Sequence, residues 1–231
     1  VKVALLLFMA SYLNSNWELL RVGTIQVGKL SLPDKRTLGP FVFIGVFVLA
    51  LLAAQKSLGT ALVFFLLMIF IIYMVTERLF YLAMSFPVVA LMGTAGYFLF
   101  GHVRVRIETW LNPWVDTTGG GYQIAQSIFA ISGGRLLGTG LGNGIGAYQI
   151  PYAETDFIFS VIAEEIGFLG AMAVIALFAV IVLRAFAVSM KATDRFGQIL
   201  AGGIGILIGL EVLIILAGVT KMLPLTGLPL P

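Results

Sequence analysis

The sequence contains six long apolar stretches with very few charges, and these stretches leave few kinds of fold open to the chain. They cover residues 3–13, 41–54, 58–75, 79–100, 157–183 and 196–219. A membrane-spanning helix needs about 20 mainly apolar residues, so the short first stretch is interpreted as truncated. The runs are continuous rather than alternating, which indicates helices and not the strands of a barrel. We predict an all-α, polytopic helical membrane protein in which residues 1–231 form one integral membrane domain.

The composition agrees with this class. Hydrophobic residues make up 60% of the chain and charged residues 11%, whereas a soluble domain is about 25% charged. This excludes an ordinary water-soluble globule, a disordered chain and a nucleic-acid-binding protein, and it makes membrane lipid the expected surroundings. There are no cysteines, so disulfides and thiolate metal sites are excluded.

The placement of Lys and Arg predicts how the spans are oriented. If residues 15–40 are cytoplasmic, eight of the 14 Lys and Arg residues fall on the inside, in the shorter loops, as the positive-inside rule favours. Residues 101–155 then form a large extracellular loop. Long loops are where functional residues concentrate. Both ends of the sequence are interpreted as cut, because the apolar pattern is already under way at Val1 and Pro231 ends a short Pro-rich motif.

Asp156 lies where this loop meets the fifth apolar stretch. An ionised carboxylate at a membrane surface can accept a proton from a substrate hydroxyl. The structural alternative is a helix N-cap by Thr155 or Asp156, since Asp is among the preferred cap residues. The residues alone favour the cap.

Other charged residues have both a functional and a structural interpretation. Glu164 and Glu165 lie inside the fifth stretch, where a carboxylate faces either a polar cavity or a Lys or Arg partner. Arg104 and Arg106 can bind phosphate oxygens or hold the helix end at the interface. Lys2 can bind an anion or serve as a snorkelling anchor.

Several short motifs occur together in a characteristic order. They are Gln-Lys-Ser-Leu-Gly-Thr at 55–60, Gly-Thr-Gly-Leu-Gly at 138–142, Thr-Asp-Phe-Ile-Phe at 155–159, Ala-Glu-Glu at 163–165 and Pro-Leu-Thr-Gly-Leu-Pro-Leu-Pro at 224–231. This series resembles the SEDS family of shape, elongation, division and sporulation proteins (RodA, FtsW and SpoVE). The resemblance implies a ten-span protein of which this chain is an internal fragment holding spans four to nine.

The resemblance also implies a function. It is that of a peptidoglycan glycosyltransferase, at the outer face of the bacterial cytoplasmic membrane, that polymerises lipid II and releases undecaprenyl pyrophosphate during shape maintenance, division or sporulation. Asp156 matches the essential aspartate of the family, whose proposed role is general base. The usual partner is a class B penicillin-binding protein. We predict substrate-binding roles for Lys2, Arg104, Arg106, Gln123, Glu164 and Glu165.

Three alternatives stay open. No residue pattern demands a metal, yet a divalent cation, Mg²⁺ or Mn²⁺, can share the pyrophosphate charge. Intramembrane carboxylates such as Glu164, Glu165 and Glu211 suit a transporter (flippase) of lipid-linked precursor. Ser57 and Ile215, which stand where the family commonly has Asp and Asn, allow a non-catalytic scaffold of a cell-wall synthase.

Overall fold

The computed structural model describes residues 2–18, 25–27, 30–32, 39, 43, 45–46, 58–115, 119, 121–228 and 230–231. Helices dominate this part of the chain, with one short antiparallel strand pair that joins Ile25–Val27 (β1) to Leu30–Leu32 (β2). The helices are Lys2–Ser15 (α1), Leu58–Thr76 (α2), Leu79–Leu99 (α3), Gly101–Leu111 (α4), Tyr122–Gly133 (α5), Gly146–Gln149 (α6), Ile158–Glu165 (α7), Gly167–Lys191 (α8) and Arg195–Val219 (α9). The all-α prediction is confirmed.

Four helices of the described part are long and apolar enough to cross a membrane: α2, α3, α8 and α9. Little of the apolar surface of α3 and α8 is covered by protein; 11% of the α3 span and 6% of the α8 span are buried. Uncovered apolar helices of this length suit contact with lipid. The chain is therefore a multi-pass membrane protein. The predicted span at 41–54 lies almost wholly outside the described residues, and α1 is a shorter apolar helix of 14 residues.

The prediction of one continuous span over 157–183 is wrong. The chain forms two helices there, α7 and α8, separated at Gly167, whose φ is +78°. A Cβ at Gly167 would overlap the backbone of Leu136, Leu137 and Gly138. Glycine alone combines this close approach with a left-handed φ at little strain. Glu164 and Glu165 consequently end a short helix and do not lie within the spanning helix α8.

The chain divides into two compact units, with boundaries inside α3, α8 and α9. The first unit contains residues 1–89 and 181–210. In it, α1 buries Leu5, Leu6, Met9, Ala10 and Leu13, which share one face at helical spacing. Leu6 occupies the space that a side chain at Gly203 would need, so the small residue allows close packing.

The second unit contains residues 90–180 and 211–231. Its core is built mainly from α5, α7 and the segment between α6 and α7. The buried apolar residues are Ala130, Ile150, Ala153, Phe157, Phe159, Val161, Ala163, Ala171 and Val219. This core fixes the turn that carries Asp156 against α5 and the end of α9.

Candidate functional site

A cleft of about 100 Å³ lies in the second unit. Three of the predicted site residues line it together: Arg106 from α4, Gln123 from α5 and Asp156 from the turn before α7. The rest of the lining is Val105, Thr109, Ile124, Phe157, Leu225 and Gly227. The fold thus brings together residues about 120 positions apart in the sequence, such as Arg106 and Gly227, around the Asp156 carboxylate.

Asp156 is presented by a tight turn and not by a helix end. The backbone N–H groups of Thr155, Asp156 and Phe157 point to the carbonyl oxygen of Tyr152, at 3.1, 3.1 and 3.4 Å. This turn delays the start of α7 to Ile158, so that Phe157 is the N-cap residue, with no side-chain cap hydrogen bond. The N-cap interpretation of Asp156 is therefore wrong. Within the described residues the half-buried carboxylate accepts no hydrogen bond, and it faces the cleft.

Arg106 is held in place by the C-terminal segment. Its Nη1 donates a hydrogen bond to the carbonyl oxygen of Thr226 at 3.0 Å. The next residue, Gly227, has a φ of +66°, and a Cβ built on it would lie 3.1 Å from Arg106 Nη2 and 3.7 Å from Asp156 Oδ2. Because Gly227 has no side chain, space remains between the Arg106 guanidinium and the Asp156 carboxylate. Among the described residues, these two groups do not form an ion pair with each other.

Arg104, two residues earlier on α4, points elsewhere. Its Nε lies 2.8 Å from Glu108 Oε1 in an exposed ion pair, and its guanidinium lies 5.7 Å from the centre of the Tyr97 ring. The hydrogen bond to Glu108 raises the pKa of Arg104, and the same bond lowers the pKa of Glu108. Arg104 does not line the cleft. Two residues two positions apart face different directions on a helix, as its period requires.

Glu164 has a different environment from the one expected. It is 5% exposed, and its partners are the backbone N–H groups of Ile145 and Gly146, at 3.2 and 2.8 Å from Oε1 and Oε2. The expected Lys or Arg partner is replaced by main chain. Two backbone hydrogen bonds satisfy both oxygens of this buried side chain, as burial of a polar group requires.

The glycine-rich segment before α6 also packs on the end of α7. The carbonyl oxygen of Glu164 accepts the N–H of Thr139 at 2.9 Å, and that of Glu165 accepts the N–H of Gly140 at 3.0 Å. Side chains at Gly144 or Gly146 would overlap the Glu164 carboxylate. Neither Glu164 nor Glu165 lines the cleft. Gly138, Gly144 and Gly146 are the local sequence signal for this close approach, because a Cβ at any of them would overlap Glu164 or Glu165.

Lys2 is half-buried at the start of α1, in the first unit. Its substrate-binding role stays a prediction. Thr109 is a cleft residue that sequence reasoning missed. It lies three residues after Arg106 on α4, so the helical period places it on the same face and could have identified it.

The cleft does not fit a metal ion held by protein ligands alone. Its lining supplies a single carboxylate, Asp156, beside the positive charge of Arg106. Across the described residues no group of three or more His, Cys, Asp or Glu side chains is arranged to hold a metal. A hard divalent cation without such ligands takes its oxygens from water or from a bound phosphate.

Comparison with known proteins identifies relatives along the entire chain. The family model of the cell cycle proteins FtsW, RodA and SpoVE matches residues 1–231. The peptidoglycan glycosyltransferase RodA of Mycobacterium tuberculosis (strain H37Rv) is 34% identical over 230 residues, which cover 100% of this chain and 49% of the relative. The probable peptidoglycan glycosyltransferase FtsW of Geobacter sulfurreducens (strain PCA) is 37% identical over 235 residues, covering 100% and 59%. The chain thus spans about half the length of the curated relatives it matches.

A solved structure shares the fold. It was described under the heading of structural coordination of polymerization and crosslinking by a peptidoglycan synthase complex, and it aligns with a TM-score of 0.71. The alignment covers 100% of this chain and 61% of the other, at 24% sequence identity. At that identity the match supports the helical architecture.

Proposed function

The chain belongs to the FtsW/RodA/SpoVE family of cell cycle proteins, and we propose that the protein is a peptidoglycan glycosyltransferase that polymerises lipid II. The observation that carries this proposal is the placement of Asp156 and Arg106 beside Gly227 in the lining of one cleft. A base and a cation that face one space are what sugar transfer from a pyrophosphate donor requires.

Asp156 supplies the base. Its carboxylate is partly exposed to the cleft and accepts no competing hydrogen bond within the described residues. In the proposed reaction it takes the proton from the 4-hydroxyl of the acceptor sugar. The hydroxyl oxygen forms a bond to the anomeric carbon of the donor, and the bond from that carbon to the pyrophosphate oxygen breaks. The product is a longer glycan with inverted configuration at that carbon.

Arg106 supplies the charge that the leaving group needs. A guanidinium binds phosphate oxygens in a fixed geometry, and the hydrogen bond to Thr226 fixes its position before substrate arrives. Undecaprenyl pyrophosphate leaves as an anion, so a cation held in place favours the transition state. A Mg²⁺ or Mn²⁺ ion brought in with the pyrophosphate stays a prediction.

The cleft is small for the substrate. Pockets that enclose a drug-sized ligand measure roughly 300–1,000 Å³, against about 100 Å³ here. We expect the cleft to hold the reacting groups, with the sugars and lipid chains bound by neighbouring surfaces. Gln123 lines the cleft and is proposed to contact the substrate, whereas Arg104, Glu164 and Glu165 do not line it. A substrate-binding role for Lys2, which belongs to the first unit, stays a prediction.

The setting of the reaction is also proposed. The charge distribution favours an outward-facing loop 101–155, which would put Asp156 at the outer face of the bacterial cytoplasmic membrane. A class B penicillin-binding protein is the proposed partner. This agrees with the fold match, because the matching chain comes from the structure of a peptidoglycan synthase complex. Glu164 accepts hydrogen bonds from two backbone N–H groups. It therefore no longer supports the transporter alternative, which depends on carboxylates such as this one.

The test compares two carboxylates two residues apart. The natural full-length protein is purified with its partner, supplied with lipid II, and its glycan chains are measured on a gel. Asp156→Asn is expected to lose at least about 100-fold in rate, the usual contribution of a general base. Glu154→Gln is the control, since Glu154 is exposed and does not line the cleft. Equal polymer from wild type and Asp156→Asn would contradict the assignment of the base.

A further inference from the structure

Two serine hydroxyls form a buried hydrogen-bonded chain in the second unit. Ser127 of α5 and Ser160 of α7 are both 0% exposed, and their Oγ atoms lie 2.7 Å apart. Ser127 Oγ also donates to the carbonyl oxygen of Val219, the last residue of α9, at 2.9 Å. The chain therefore connects three helices through two side chains and one backbone group.

The hydrogen positions follow from the donor inventory. A serine hydroxyl has one hydrogen to donate and two lone pairs to accept with. The Ser127 hydrogen goes to Val219, so the Ser160 hydroxyl must be the donor to Ser127. The order is Ser160 to Ser127 to the Val219 carbonyl. Hydrogen bonds in such a chain polarise and strengthen one another in a dry interior.

Each of the three hydrogen-bonded residues lies close in sequence to a part of the cleft lining. Ser127 is one helical turn after Gln123, and Ser160 is four residues after Asp156. Val219 ends α9 just before the segment that places Leu225 and Gly227 in the cleft. Carbonyls in the last turn of a helix have no partner within the helix, and Ser127 supplies one here.

We propose that Ser127 and Ser160 are positioning residues that hold the three walls of the Asp156 cleft in register; the role in catalysis rests on the proposed glycosyltransferase function. The serines do not line the cleft and do not contact the reacting groups. They act through the backbone that carries Gln123, Asp156 and Gly227. Displacements of the order of 1 Å in such a framework lower a rate about 100-fold. Loss of these hydrogen bonds is therefore expected to lower kcat and to leave KM for lipid II nearly unchanged.

The test uses Ser127→Ala and a matched control in the first unit. Ser189 is 5% exposed and donates to the carbonyl oxygen of Gln198 at 2.7 Å. Ser189→Ala therefore removes the same type of buried hydroxyl-to-helix bond. In the full-length protein with its partner, we would measure lipid II polymerisation rates and hydrogen–deuterium exchange of the backbone in residues 220–228.

Ser127→Ala is expected to lower kcat about tenfold or more and to speed amide exchange in residues 220–228. Ser189→Ala is expected to change neither, even with a similar loss of thermal stability. The proposal is overturned if exchange in residues 220–228 stays at the wild-type rate in Ser127→Ala, or if Ser189→Ala matches it in exchange and kcat. If the wild type makes no polymer, the proposed function fails, and the exchange comparison still decides whether the serine chain holds the cleft.

Discussion

The buried carboxylate of Glu164 accepts the backbone N–H of Gly146 from 18 residues earlier, at 2.8 Å. Its second oxygen accepts the neighbouring N–H of Ile145. Both oxygens are thus engaged by main chain at the start of α6. The short helix α7 in this way anchors the glycine-rich segment that leads to the turn of Asp156.

Glu164→Gln should destabilise the protein. The amide nitrogen would face a backbone N–H donor, so one buried donor loses its acceptor, at a cost of about 1–3 kcal/mol. The measurement is the thermal unfolding midpoint in detergent. Glu165→Gln is the control, because the Glu165 side chain is half-buried and makes no hydrogen bond within the described residues. Equal stability of Glu164→Gln and Glu165→Gln would refute the anchoring role.

Arg106→Ala should slow polymerisation much more than Arg104→Ala. Arg106 faces the cleft and Arg104 pairs with Glu108 on the surface. Loss of a charge-assisted contact of about 1.5–3 kcal/mol corresponds to a rate loss of roughly 10- to 100-fold. Initial rates at limiting lipid II measure it. Similar losses in the two variants would show that general positive charge matters and not the position of Arg106.

Gly227→Ala should reduce activity beyond its effect on backbone strain. The new methyl would occupy the space between Arg106 and Asp156. Gly142→Ala is the matched control, since Gly142 has a φ of +75° and nothing within 4 Å of a built Cβ. Both variants carry the left-handed penalty of about 1–2 kcal/mol. We expect the polymerisation rate to fall at least about tenfold in Gly227→Ala and not in Gly142→Ala. An equally slow Gly142→Ala variant would show that backbone strain accounts for the loss.

The Arg104–Glu108 pair should contribute to stability only above acidic pH. The hydrogen bond from Arg104 lowers the pKa of Glu108 in the folded state. The contribution is therefore present above the unfolded pKa of about 4.3 and is lost as the pH falls through the lowered folded value. Near pH 7 the thermal unfolding midpoint of Glu108→Gln should be slightly lower than that of the wild type, and near pH 2 the two midpoints should coincide. The difference near pH 7 is small because both side chains are exposed. A stability difference that persists in acid would contradict this account.

The sequence predicted the spanning helices that follow from continuous apolar runs, such as α2 and α9. It did not predict the break before α8, because Gly167 lies inside an apolar run and hydropathy carries no information about φ. The left-handed turn there depends on backbone from residues 136–138, some 30 positions earlier. A long-range contact of this kind leaves only a glycine as its local sequence signal.

The candidate site was predicted in part. The sequence indicates Asp156, Arg106 and Gln123 as site residues, and the structure places all three in the lining of one cleft. What the sequence could not supply was the choice between Arg104 and Arg106, since the orientation of α4 depends on where the segment 224–228 lies. The partner of Glu164 was also missed, because backbone amides carry no residue identity by which a sequence could indicate them.

The start of α8 has a consequence for where this helix can lie. The N–H groups of Phe168 and Leu169 donate to the carbonyl oxygens of Arg135 and Leu136, at 2.9 and 3.3 Å. The first N–H groups of a helix ordinarily depend on water or a capping side chain. Here the protein supplies acceptors for two of them, so the N–H groups of Phe168 and Leu169 do not need water. These two donors stay satisfied whatever the depth at which α8 begins, which a span start that relies on water cannot offer.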